Sequence, residues 1–347
     1  HLRLVEARLV ERSVAGVAFE AIAVPPRHRG GLRRLAADLP LHARLIGEAR
    51  RRAADDLIFT SVTTTGLLAL KTLLRPDGPP CTVVPHAILE KVVDTEASWF
   101  PWIAGARRDV PLRLLALSGS ILPELRQRAP GVADGAVAVE HPYFFPEPVE
   151  RAPFENGKVR FGSIGQAHRS KGLGALIRLA RAVKGAPGGE WATFVHIGPV
   201  ADPELAAQAE GLVELPAQQG FLERSEFERR IAELDYAVFC YPPDSYALNV
   251  SGAIFDAFAA GKPVLALRNR YFEHLFALTR GPRGEGFGEL VAGEMELQAL
   301  LKRIVSRPPI EEYVAQREAI SRVRALFSPE RVGAQLRGLF GDERAAP

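Results

Sequence analysis

Sulfur is scarce: the 347 residues hold two cysteines and one methionine. Cys81 and Cys240 stand in separate halves, each in an apolar run that reads as a buried strand, so no disulfide framework is expected and a reducing, cytoplasmic setting is. Long apolar runs are also missing. Glycine, proline or charge interrupts every hydrophobic stretch before it reaches the roughly 20 residues of a membrane-spanning helix. No pair of His, Cys or carboxylate residues has metal-ligand spacing, and no acidic Asp-x-Asp triplet follows a strand, because Asp55-Asp56 precedes one. Chemistry without a metal or cofactor is therefore expected. The net charge of +3 is small, and no nucleic-acid partner is expected. Internal repeats and low-complexity tracts are absent, which sets aside solenoid architectures.

What is present is an ordinary globular composition, 47% hydrophobic and 24% charged, in a chain long enough for two cores. Residues 1 to 16 read as a helix, followed by a strand in VAFEAIAVP. A doubly wound domain normally opens with a strand, so with a helix first and His1 in place of Met, either a first strand is missing or this N-terminal sheet is unusual. From DLIFTSV onward strands and helices alternate: TGLLALKTLLR, CTVVPHA, LRLLALS, ILPELRQRAP, AVAVEHPY. Such alternation argues for a parallel sheet wrapped by helices, since parallel strands need crossovers. PEPVERAPFENGK, residues 146 to 158, is rich in proline and charge and reads as a linker. A second alternation follows, from KVRFGSIG through TFVHIGP and YAVFCYP to PVLAL. The expected fold class is α/β, with two Rossmann-like domains: 1–148, 158–325, and a C-terminal helix in 326–347 that crosses back to the first domain. Ser328 is its N-cap and Pro329 its first helical residue.

The segment SYALNVSGAIFDAFAAGKPVLAL, Ser245 to Leu267, carries the most chemistry. A strand ends near Tyr241, a loop follows, and a helix starts at Ser251-Gly252 with its amides free, a place that attracts phosphate. Gly252 admits close approach, Ser251 adds a hydroxyl, and Asp256, just over a turn on, is placed to accept from ribose hydroxyls. In KVRFGSIGQAHRSKGLGALIRLA, Gly165 makes a turn at a strand end and Lys171 stands at the mouth of the next helix, where its charge would neutralise a diphosphate.

These motifs resemble the retaining GT-B glycosyltransferases, above all glycosyltransferase family 4, with Asp256, AFAA and Gly261-Lys262-Pro263-Val264 matching the family's acidic residue, short helix and Gly-x-Pro-Val run. The resemblance implies a GT-B fold, two Rossmann-like domains facing each other across a cleft, and transfer of a sugar from a nucleotide-diphosphate-sugar to a glycan or lipid-linked acceptor with retention. It implies ribose binding by Asp256 and diphosphate binding by Lys171, Ser251 and Gly252. It also implies a contact from His86, at a strand end of the other domain, and a base-binding loop at Gly220 and Phe221. Two positions depart from the family. Its donor-sugar glutamate falls on Leu248, for which Tyr246, Asn249 or Asp244 would stand in, and its arginine falls on Gln166, with Arg169 nearby as a substitute.

Thr63 and Thr64, with Trp99 and Trp102, form a weaker candidate acceptor surface. His168 and His196 are weaker candidates still for donor contacts. Ser118 reads as a helix cap and His141-Pro142-Tyr143 as a structural hinge. The arginines between Arg27 and Arg52 make a basic face that suits an acidic membrane surface, though a charge run is more often a solvated helix face. Two other readings stay open on the residues: a nucleotide-sugar 2-epimerase, and a nucleotide-sugar-binding protein without catalysis.

Overall fold

The computed structural model describes residues 31–86, 88–90, 110–148, 151–167, 171–217, 220–281 and 284–341. The helix and strand expected before residue 31, the arginines Arg27 and Arg29, and Trp99, Trp102, His168 and Arg169 lie outside them.

In the N-terminal domain α1 (Gly31–Arg51) leads to four parallel strands: β1 (Leu57–Phe59), β2 (Cys81–Val83), β3 (Leu112–Ala116) and β4 (Ala136–Ala138). Between them lie α2 (Thr64–Leu73), α3 (Ile121–Arg128) and the single turn α4 (Pro130–Ala133). The strands follow one another in spatial order β1-β2-β3-β4, with Ile58 opposite Thr82, Thr82 opposite Arg113 and Leu115 opposite Val137. Ile46 of α1, Leu67 and Leu70 of α2 and Leu125 of α3 pack with Val83 and Leu114 into one core.

The C-terminal domain is a five-stranded parallel sheet of β5 (Val159–Ile164), β6 (Ala192–Ile197), β7 (Tyr236–Phe239), β8 (Val264–Leu267) and β9 (Gly288–Val291). Its helices are α5 (Leu173–Lys184), α6 (Pro203–Ala209), α7 (Arg224–Ala232), α8 (Gly252–Ala259), α9 (Arg270–Thr279), α10 (Glu294–Ser306) and α11 (Ile310–Leu326). Both sheet faces are covered. Leu176 of α5, Leu205 of α6 and Leu301 of α10 pack on Phe161 and Phe194, whereas Phe258 of α8, Phe272 of α9 and Ile320 of α11 pack on Phe239 and Ala266. Strands buried on two faces read as continuous apolar runs, which is why YAVF and VLAL stand out in the sequence. Asp235 ties the domain's entry together: its carboxylate accepts from the amides of Phe154 at 3.0 Å and Arg160 at 2.8 Å.

The strand order β6-β5-β7-β8-β9 places the reversal of winding between β5 and β7. A crevice must open at the carboxyl ends of those two strands, because the loops after them leave in opposite directions. The sequence segments singled out for phosphate binding follow these same two strands.

A last helix, α12 (Pro329–Gly341), lies on the N-terminal sheet, where Val332 packs with Val84, Leu115 and Val139. Ser328 caps it, accepting from the Arg331 amide at 3.2 Å. Among the described residues no helix is long and apolar enough to cross a membrane.

Candidate functional site

Four pieces of chain converge at the β5/β7 crevice. The first is the turn after β5, where Gly165 has φ of 103° and lies 3.5 Å, measured from the position of a side chain it lacks, from the Ala253 methyl at the start of α8. The second is α8 itself. Gly252 is exposed with open space where a side chain would stand, and the helix dipole adds partial positive charge at this end.

The third is Lys171, exposed at the mouth of α5, with Nζ 5.8 Å from the centre of the Tyr246 ring. Gly172 makes that approach possible: its φ is 81°, and any Cβ there would fall 2.1 Å from the Cys240 carbonyl oxygen. The fourth is the loop from Cys240 to Ser251, which carries Tyr246 at φ 61° with its ring packed on Tyr241 at 4.7 Å.

Asp256 lies on α8 one turn beyond these groups, its side chain 15% exposed. Its Oδ1 accepts from the Tyr143 hydroxyl at 2.7 Å and from Arg224 Nη1 at 3.0 Å, and Arg224 Nη2 donates to the Tyr143 oxygen at 3.0 Å. Burial raises the Asp256 carboxyl above its ordinary range, opposed by these two donors. The Tyr143 phenol is pushed up to about 12 by burial and by the neighbouring Asp256 charge.

The opposite wall belongs to the N-terminal domain. His86 lies past the end of β2 rather than within it, at φ 39°, exposed, with Nε2 2.8 Å from the Thr60 carbonyl oxygen. It shares a void of about 10 Å³ with Leu89, Ile121, Leu248 and Asn249. So little space holds at most one water. Leu248 is 1% exposed and belongs to the N-terminal domain's core cluster, with Val250 packed beside it. The loop after β7 therefore docks the two domains together. Farther along, Arg270 of α9 pairs with Glu124 of α3, and His274 Nε2 donates to Glu140 at 2.8 Å.

Several expectations are corrected. Ser251 stands at the N-cap position of α8 but its side chain makes no capping bond: the residue is 1% exposed and its hydroxyl is hydrogen-bonded to the Tyr241 phenol at 3.0 Å, so it is turned to the core and not to a phosphate. Asn249 turns its Oδ1 back to the Val250 amide at 2.8 Å. Thr63 caps α2, accepting from Gly66 at 3.0 Å and donating to Asp38 at 3.2 Å, so its hydroxyl is spent on the fold. Thr64 opens the same helix. His196 is buried on β6 with Nδ1 2.7 Å from Ser163 Oγ, and burial lowers its pKa to about 4, a neutral core residue. Gln166 is exposed beside Gly165, and Gly220 at φ 108° leads into Phe221, which is 81% exposed. Tyr143 and Arg224 went unrecognised as site residues. The one local signal was an aromatic residue in the stretch leading into the linker.

Among the described residues, no group of three or more His, Cys, Asp or Glu is placed to hold a metal ion. A separate cavity of about 770 Å³ lies along edge strand β9, away from this crevice, between α9 and α11.

No protein-family model and no curated protein sequence matches the chain. Solved structures do. A glycosyltransferase from Rickettsia africae superimposes with a TM-score of 0.63 at 12% identity, covering 97% of this chain and 87% of that one. An α,α-trehalose-phosphate synthase (UDP-forming) from Burkholderia vietnamiensis gives 0.59 at 14% identity, over 92% and 81%. WaaG, a glycosyltransferase involved in lipopolysaccharide biosynthesis, gives 0.58 at 14% identity, over 94% and 90%. The architecture is the GT-B fold, two Rossmann-like domains facing each other across a cleft.

Proposed function

We propose that this protein is a glycosyltransferase that takes a sugar from a nucleotide-diphosphate-sugar and passes it, with retention, to a hydroxyl of a glycan or lipid-linked acceptor. The observation that carries the reading is the convergence of the open α8 terminus at Gly252, the Gly165 turn, Lys171 and Asp256 at the winding reversal of the second sheet. Helix amides and the lysine would hold the diphosphate and stabilise it as it departs, without a metal. Asp256 would hold the ribose, and Gly220 and Phe221 the base. His86, across the cleft, would meet the donor sugar. Neighbours of the same architecture include a UDP-forming synthase and a lipopolysaccharide glycosyltransferase.

A second reading, nucleotide-sugar binding without transfer, is favoured by one feature: Leu248 fills the sugar side of the cleft with an apolar domain contact. Incubation with UDP-, GDP- and ADP-sugars, following release of free nucleoside diphosphate, separates the two. Release above the buffer rate supports the transferase. Binding without release supports the second reading, and neither binding nor release contradicts both. The exposed arginines of α1, Arg33 and Arg44 among them, would serve a peripheral contact with an acidic membrane surface on the cytoplasmic side. Equal liposome flotation with and without acidic lipid would dismiss that contact.

A further inference from the structure

The two oxygens of Asp256 are not equivalent. Both bonds to its carboxylate, from Tyr143 and from Arg224, end on Oδ1. Oδ2 has no hydrogen bond among the described residues and is not fully buried, which leaves it free to accept one. The three side chains form a closed triangle of 2.7, 3.0 and 3.0 Å, each edge a hydrogen bond. A carboxylate fixed in this way cannot swing freely, and the entropy of orienting it has been lost before any ligand arrives.

Tyr143 comes from the stretch joining the two domains, which is fastened to α8 independently of this bond. Its ring stacks on Phe255 at 5.6 Å, His141 also stacks on Phe255 at 5.0 Å, and the Tyr143 amide donates to the Phe327 carbonyl at 2.8 Å. Arg224 is the first residue of α7 and also holds Glu228 of its own helix at 2.5 Å. The donors on Oδ1 thus come from two elements that α8 does not control.

We infer that Tyr143 and Arg224 are positioning residues for the nucleotide: they hold Oδ1 of Asp256 so that Oδ2 is the atom offered to a ribose hydroxyl, and they tie that offer to the interdomain linker. The inference rests on the reading of Asp256 as the ribose ligand. Without the phenol, Arg224 is free to engage both oxygens in the bidentate geometry guanidinium prefers, which occupies Oδ2 as well.

The test compares a nucleoside diphosphate with its 2′,3′-dideoxy counterpart, using uracil, guanine and adenine as bases, on the parent protein and on Tyr143→Phe and Arg224→Met. Phenylalanine keeps the stacking on Phe255 and removes only the hydroxyl. In the parent the ribose hydroxyls should improve affinity about tenfold, the worth of a hydrogen bond to a charged group. In Tyr143→Phe that ratio should fall to near one while the dideoxy compound binds as it does to the parent, a pattern general damage to the fold would not produce. Arg224→Met, which removes the other Oδ1 donor, should also reduce the ratio. A Tyr143→Phe protein that keeps the full ratio overturns the positioning role and leaves the donor site intact. Equal binding of the two compounds by the parent overturns ribose recognition itself, and with it the inference.

Discussion

Leu248 of the C-terminal domain and Leu89 of the N-terminal domain belong to one apolar cluster. The cleft is thereby closed on a hydrophobic contact that a leucine from the loop after β7 makes in the other domain's core. Leu248→Asp would have to bury a carboxylate among Leu89, Ala116 and Ile121, a cost that parting the domains avoids. The expected outcome is a larger radius of gyration by small-angle scattering with each domain still folded. An unchanged radius would contradict this account of the docking. Leu248→Ala should cost about 2–5 kcal/mol of the docking energy, as other buried leucine truncations do.

Gly172 sets the position of Lys171. An alanine there meets both a left-handed φ of 81° and the Cys240 carbonyl at 2.1 Å, so the strand-to-helix junction must shift. Gly172→Ala should lose at least about 2 kcal/mol in urea denaturation. It should also weaken diphosphate binding, whereas Gly211→Ala, with φ of 69° but open space around it, should cost about 1 kcal/mol and leave binding alone.

Glu289 on β9 faces Glu312 on α11, and its carboxyl is raised to about 7 by burial and then by the Glu312 hydrogen bond and charge. The folded protein therefore holds this carboxyl's proton where the unfolded chain, with an ordinary glutamate near 4.5, has lost it. The pair's contribution is intact below about 4.5 and is lost as pH rises through about 7, the reverse of a salt-bridged carboxylate. Stability between those values should fall with rising pH, and Glu289→Gln should flatten the slope. A slope unchanged in Glu289→Gln would place the proton elsewhere.

How far the sequence could be read follows from where each contact comes from. Strands such as YAVF and VLAL, and the helix in GLGALIRL, announce themselves through local apolar pattern, and so does the crevice, since Gly165 directly follows β5 while Lys171 and Gly252 stand at the starts of the helices that follow β5 and β7. The elements α9, β9, α10 and α11 were not read. EMELQALLKRIVS and IEEYVAQREAISRVRAL have helical spacing, but without a motif nothing drew the eye to them. Side-chain orientation was the harder part. Whether Ser251 faces a phosphate or Tyr241, and whether Thr63 faces a sugar or Asp38, depends on tertiary partners and not on spacing. The Tyr143–Asp256 bond spans 113 positions and has no local signature at either end.

Calorimetric titration with UDP-, GDP- and ADP-sugars, repeated on Asp256→Ala, tests the central claim most directly. The account predicts saturable binding of one of the three, weakened at least about tenfold by the substitution, because a charged hydrogen bond to the ribose is lost. No binding of any of them, or binding that Asp256→Ala leaves unchanged, would contradict it.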